Sequence, residues 1–115
     1  MESKKIASID IGTNTIRMTV WAKDLAGRFR EIHSNRDIVR LGEGMSLNKR
    51  LLNHRMEKAI GVLSRYKVEC EKIGDVKICA VATSAVREAE NKYDFFILNA
   101  ILSVPFCRFT LLEIR

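Results

Sequence analysis

The segment Ile6-Ala-Ser-Ile-Asp10-Ile-Gly-Thr-Asn-Thr15-Ile-Arg-Met-Thr-Val20 constrains the fold of this chain more than any other. Two runs rich in β-branched and apolar residues, 6–11 and 16–22, flank a Gly-Thr-Asn-Thr gap whose length and composition suit a β-hairpin. A turn containing Gly12 gathers backbone N–H groups on one side, and small hydroxyl or amide side chains add donors without blocking an oxyanion. Asp10 stands where the first strand ends, placed to hold a metal ion or a water beside such an anion. The same residues also satisfy an ordinary hairpin, since Gly and Asn are common turn formers. The hairpin by itself leaves both readings open.

The rest of the chain supplies a setting for it. Lys23-Asp-Leu-Ala-Gly27 reads as a second turn, and a third strand within 29–39 would complete an antiparallel meander. Between 51 and 73, Leu52, Met56, Ala59, Ile60, Leu63, Tyr66, Cys70 and Ile73 recur at spacings of three and four, which traces one face of a helix. Gly74 is placed to end it. Val76-Lys-Ile-Cys-Ala-Val-Ala82 follows as a strand, and a helix between two strands implies a crossover to a parallel partner. The expected product is an α/β domain, a mixed sheet with a helix on its face. Asn91 is expected to cap a last helix, with Asp94 at its third position and a body over 93–104. Residues 95–107 carry no charge, and their apolar side chains go all round the expected helix, yet the run is shorter than the ~20 residues needed to span a bilayer.

A chain of 115 residues is one domain at most, and 47% hydrophobic with 30% charged residues is ordinary globular composition. The net charge of +6 would suit an anionic partner. Much of it lies in Lys49, Arg50, Arg55, Lys58, Arg65, Lys67 and Lys72, interleaved with Glu57, Glu69 and Glu71, which reads as a solvated helix face. No aromatic residues are interleaved to stack on bases, which argues against nucleic acid. Cys70, Cys79 and Cys107 form no C-x-x-C pair and nothing like a secretory core precedes Asp10, so the chain reads as cytoplasmic with reduced thiols. His33 and His54 lack partners at metal-ligand spacing and are expected to be structural.

Two further segments, Val39-Arg-Leu-Gly-Glu-Gly-Met45 and Ala80-Val-Ala-Thr-Ser-Ala-Val-Arg-Glu-Ala-Glu-Asn91, stand in order after the hairpin. Together the three resemble the exopolyphosphatase and guanosine pentaphosphate phosphohydrolase family (Ppx/GppA), from about Lys5 to about Phe96. The resemblance implies the first ribonuclease-H-like domain of the actin, sugar kinase and 70-kDa heat-shock superfamily, with the second domain missing. It divides the chain into an incomplete phosphatase domain, 1–96, and a divergent end, 97–115, expected from a truncation or frameshift.

The implied chemistry is hydrolysis of a terminal phosphoanhydride, releasing orthophosphate from inorganic polyphosphate or guanosine pentaphosphate, with Mg2+ or another divalent cation. Asp10 matches the metal position. Gly12, Thr13, Asn14 and Thr15 match the first phosphate loop, and Arg87 matches an arginine whose guanidinium would take two phosphate oxygens. An ion pair with Glu88 or Glu90 is the alternative for Arg87. Arg17 is a weaker candidate, and Thr83 and Ser84 either orient Arg87 or cap the following turn. The general-base glutamate and the second, glycine-rich phosphate loop of the family have no counterpart, and Glu113 does not match the former. The chain alone is therefore expected to be inactive, leaving a binding domain or a nonfunctional gene remnant as alternatives. A homodimer is implied for the intact protein, and a membrane is not.

Overall fold

Alternate residues along the first two strands are apolar, and all of them go to one face. In this computed structural model, which describes residues 4–82 and 84–95, strand β1 (Lys4–Ile11) buries Ala7, Ile9 and Ile11. Strand β2 (Thr15–Lys23) buries Ile16, Met18 and Val20. The period of two places all of these side chains on one face of the sheet, in a single core cluster. Strand β3 (Phe29–Ile38) has no fully buried residue and lies at the edge.

Two turns are set by residues that the sequence singled out. Between β2 and β3, both Ala26 N–H and Arg28 N–H donate to the Asp24 carboxylate at 2.9 Å, and Gly27 takes a left-handed φ of 85°. That φ costs glycine little and other residues more. At the end of the long helix, Gly74 adopts φ 133° and donates its N–H to Cys70 O at 3.1 Å, as expected for a stop signal.

The short helix α1 (Met45–Asn48) and the long helix α2 (Asn53–Ile73) follow β3. The buried stripe of α2 is Met56, Ala59, Val62, Leu63, Tyr66 and Cys70, close to the spacing read from the sequence. Fully burying each Leu, Ile, Val or Met in this layer contributes roughly 1.5–3 kcal/mol. Strand β4 (Val76–Ala82) then returns beside β1 in parallel, with Ile11 level with Ala82, and helix α3 (Ser84–Glu88) leaves from that end. The sheet order is β3-β2-β1-β4, antiparallel except for the last pair. This is the mixed sheet that the helix between two strands implied.

Side chains at the edge of the layer are tied by a polar network. Tyr66 is buried, and its hydroxyl lies 2.7 Å from Asp37 Oδ2 and 3.1 Å from Ile16 O. Arg65 pairs with the same Asp37 carboxylate, while Glu69 accepts from Asn35 Nδ2 at 3.0 Å and contacts His33 Nε2 at 2.7 Å. His33 is thus a structural residue, as the sequence suggested. Cys70 is a free, buried thiol.

Asn91 stands where expected, directly before a helical turn, with Asp94 N–H donating to its carbonyl at 3.0 Å. Its side chain, however, bonds elsewhere. It is buried and clasps Leu51, accepting from Leu51 N–H at 2.8 Å and donating to Leu51 O at 2.9 Å. The adjacent Glu90 N–H donates to Lys49 O at 2.8 Å. A single turn of helix at 92–95 follows, and the remainder of the expected 93–104 helix, like the divergent 97–115 segment, lies outside the described residues.

Candidate phosphate-binding site

The hairpin between β1 and β2 turns its hydrogen-bond acceptors inward. Thr15 O accepts from Gly12 N–H at 3.0 Å. Asn14 O accepts from both Val39 N–H and Arg40 N–H, at 2.9 and 2.8 Å, and Thr13 O accepts from Gly42 N–H at 2.8 Å. Three successive carbonyls are thereby neutralised by four amides, three of them from the segment that follows β3. The backbone amide and the carboxamide of Asn14 have no partner among the described residues, and Asn14 is exposed. A loop with its acceptors spent and donors still open attracts anions. Gly12 does not use a left-handed φ here; the residue that does is Arg40, at φ 57° on the bracing segment.

That segment is itself held from α2. Arg55 donates from Nε to Glu43 Oε2 at 2.5 Å and from Nη1 to Val39 O at 3.4 Å. His54 lies 3.6 Å from the same Glu43 oxygen. The hydrogen bond from Arg55, which outweighs desolvation, holds the Glu43 carboxyl below its ordinary value. A line of contacts therefore runs from the first turn of α2 through Glu43 and Val39 to the hairpin carbonyls. The sequence placed Arg55 on a solvated face and gave it no such part, because its partner lies 12 residues earlier with no periodic signal connecting the two.

Asp10 is exposed at the end of β1, opposite Arg17 on β2, and its carboxylate forms no hydrogen bond or ion pair among the described residues. No group of three or more His, Cys, Asp or Glu side chains among the described residues is arranged to hold a metal. A single exposed carboxylate beside a loop with open donors fits Mg2+, which keeps several waters and takes one or two carboxylates together with substrate phosphates.

The parallel pairing of β1 with β4 brings the start of α3 to the same edge of the sheet as the hairpin. Arg87 lies in the last turn of α3 and enters no ion pair among the described residues, so the pairing with Glu88 or Glu90 is not formed. Its carbonyl accepts from Lys92 Nζ at 3.2 Å. The Asn91 clasp lies four residues further on and anchors the chain just past Arg87. Thr83 lies outside the described residues. Gly12, Thr13, Asn14, Thr15 and Asp10 thus lie at the end of the sheet from which α3, which carries Arg87, leaves.

Comparison with known proteins gives this edge a context. The sequence profile of the Ppx/GppA phosphatase family matches residues 19–100. The chain is 36% identical over 97 residues to a bifunctional 3-dehydroquinate synthase/phosphatase of Fusobacterium nucleatum, covering 79% of the chain and 14% of that protein. It is 31% identical over 103 residues to exopolyphosphatase 2 of Mycobacterium tuberculosis, covering 87% of the chain and 32% of that relative. The crystal structure of the Ppx/GppA family member of Aquifex aeolicus superposes with a TM-score of 0.85 at 29% identity, over 91% of this chain and 34% of the other. The chain spans a third or less of the length of these proteins. By profile, sequence and fold alike, it belongs to the Ppx/GppA phosphatase family.

Proposed function

We propose that this chain is the phosphate-gripping first domain of a phosphoanhydride hydrolase that releases orthophosphate from the end of inorganic polyphosphate or guanosine pentaphosphate in the cytoplasm. The observation that carries the reading is the hairpin whose three carbonyls are spent on internal amides while the Asn14 donors and the Asp10 carboxylate remain open. The names of the relatives, an exopolyphosphatase and a phosphatase, support hydrolysis over transfer to a sugar hydroxyl.

In this reading the amide and carboxamide of Asn14, with Thr13 and Thr15, hold the oxygens of the terminal phosphoryl group, and Gly12, its N–H closed on Thr15 O, shapes the turn that presents them. Arg87 adds a bidentate cation from α3. Asp10 would hold a divalent cation, which supplies charge neutralisation of the phosphoryl oxygens and a bound, more acidic water. Phosphoryl transfer needs positioning and charge stabilisation more than covalent chemistry, and a fixed loop provides both at low reorganisation cost. The base that orients the attacking water and a second phosphate loop match nothing in these 115 residues, so the chain by itself binds and does not turn over.

The test is calorimetric titration of tripolyphosphate into the chain with and without Mg2+, alongside an orthophosphate-release assay. Saturable binding that strengthens with Mg2+, weakens about tenfold or more in Arg87→Ala, and loses its Mg2+ dependence in Asp10→Asn is the expected result. Multiple-turnover release by the chain alone would contradict the division of labour, and no binding would contradict the site.

A further inference from the structure

The core cluster takes one face of the sheet, and the other face presents polar rows beside the hairpin. Alternation along β2 puts Thr15, Arg17 and Thr19 on that open face, opposite the buried Ile16 and Met18. Across the strands, Asp10, Arg17 and Arg36 stand level in the row nearest the hairpin, and Ser8, Thr19 and Ser34 form the next. Glu31, level with Trp21, stands in the row beyond. Arg17, Thr19, Ser34 and Arg36, with Glu31 and Asn35, line a cleft of about 560 Å³.

The positive charge in this cleft is uncompensated. Arg17 and Arg36 are direct cross-strand partners, a placement in which like charges destabilise a sheet. Neither guanidinium forms a hydrogen bond or ion pair among the described residues. Asp10, level with Arg17, does not pair with it, and Asp37, next to Arg36 in sequence, lies on the opposite face with Arg65 and Tyr66. The hydroxyls of Thr19 and Ser34 have no partner among the described residues either. The cleft thus offers two guanidiniums and two hydroxyls against one carboxylate, Glu31, and that carboxylate is in the row furthest from the hairpin. Water relieves part of the repulsion between the arginines, and an anion taken by both forks relieves more.

We infer that this cleft is a second phosphate subsite, in which Arg36 joins Arg17 in holding the inner phosphates of a linear oligophosphate whose terminal phosphoryl group lies at residues 12–15. The inference rests on the proposed phosphate grip of that loop. Neighbouring strands are roughly 5 Å apart, so Arg36 stands about 10 Å from β1, and the loop lies beyond the end of that row. A pyrophosphate seated at the hairpin reaches Arg17 at most, whereas a chain of about four phosphates extends along the row to Arg36. Arg36 therefore reads chain length. In guanosine triphosphate an uncharged nucleoside takes the place of the fourth phosphate, so Arg36 favours the inorganic chain.

Calorimetric titration of the 115-residue chain with pyrophosphate, tetrapolyphosphate and guanosine triphosphate, each with Mg2+, tests this. Lengthening the chain from pyrophosphate to tetrapolyphosphate is expected to tighten binding about tenfold or more, and Arg36→Ala to remove that gain while leaving pyrophosphate and guanosine triphosphate unchanged. Arg36→Lys, which keeps the charge but not the fork, is expected to keep part of the gain. Arg28→Ala removes an equal charge in the β2–β3 turn and is expected to leave the gain intact, which separates a site from general attraction. Far-UV circular dichroism of each variant confirms an intact sheet. Pyrophosphate binding without a gain on lengthening, or a gain that survives Arg36→Ala or falls equally in Arg28→Ala, overturns the inference and leaves the loop reading standing. A loss for guanosine triphosphate equal to that for tetrapolyphosphate overturns the assignment to an inorganic chain, and no binding of any of the three overturns subsite and loop together.

Discussion

Removing the Asn91 carboxamide separates two accounts of the same residue, and the structure sets the size of the effect. Asn91 is 8% exposed and makes two hydrogen bonds, one in each direction, to the backbone of Leu51. Asn91→Ala forfeits both bonds and strands a backbone N–H and C=O at a residue that is 2% exposed. Each stranded group costs about 1–3 kcal/mol, partly repaired where water enters, so the loss should be about 2–4 kcal/mol. Against a total stability of roughly 5–15 kcal/mol this is a large fraction. Urea unfolding followed by circular dichroism should show a lower midpoint with an unchanged slope, and the melting temperature should fall by roughly 10 °C or more. Asn91→Ser and Asn91→Asp decide the cause. A helix cap accepts either replacement almost without cost. The clasp accepts neither, since Ser is too short to span both groups and Asp sets a carboxylate oxygen against Leu51 O. If Asn91→Ser unfolds within about 0.5 kcal/mol of the parent, the range of ordinary surface substitutions, the clasp is not what holds this part of the chain.

Other consequences follow from the same contacts. Arg55→Ala should weaken tripolyphosphate binding severalfold while lowering the urea midpoint only slightly, because it unties Glu43 and Val39 behind the loop and removes little core; an unchanged affinity would show that the brace is irrelevant to the site. Burial alone would raise the Asp37 carboxyl, but the hydrogen bonds from Arg65 and Tyr66 outweigh it and hold it below 3.8. Its contribution to stability is therefore complete above that value and drains away as pH falls through the lowered folded one, so melting temperature should drop on acidification below about pH 4 and do so less in Asp37→Asn. Burial, and then the Asp37 carboxylate, push the Tyr66 hydroxyl well above 10.0. Stability from the neutral phenol should be intact below pH 10 and lost above it, and Tyr66→Phe should flatten that alkaline limb.

Much of the architecture was legible because it rests on local period and punctuation. The alternation in 6–11 and 16–22, the stripe from Met56 to Cys70 and the stop at Gly74 each have a short-range physical cause, and the parallel β1–β4 pairing follows from a helix between two strands. The hairpin itself was also legible, since two apolar strand runs flank a short gap of turn residues. What was not legible joins residues far apart in the chain. The amides of Val39, Arg40 and Gly42 that neutralise the loop, the Arg55 brace and the Asn91 clasp span 12 to 40 residues, and no periodicity announces them. The place of Asn91 before a helical turn was legible but the partner of its side chain was not: the carboxamide that caps helices also clasps an isolated peptide group, and only the neighbouring backbone decides which.

The central claim is that residues 12–15, with Asp10 and Arg87, form a phosphate site on this domain. The most direct measurement follows backbone amides of the 15N-labelled chain by heteronuclear NMR while tripolyphosphate and Mg2+ are added. The account predicts saturable shifts centred on Thr13, Asn14 and Thr15, with smaller ones at Arg40 and Arg87 and none along the outer half of α2. Shifts spread over the basic residues of α2, with the hairpin unmoved, would contradict it and reduce the binding to general attraction by a positively charged surface.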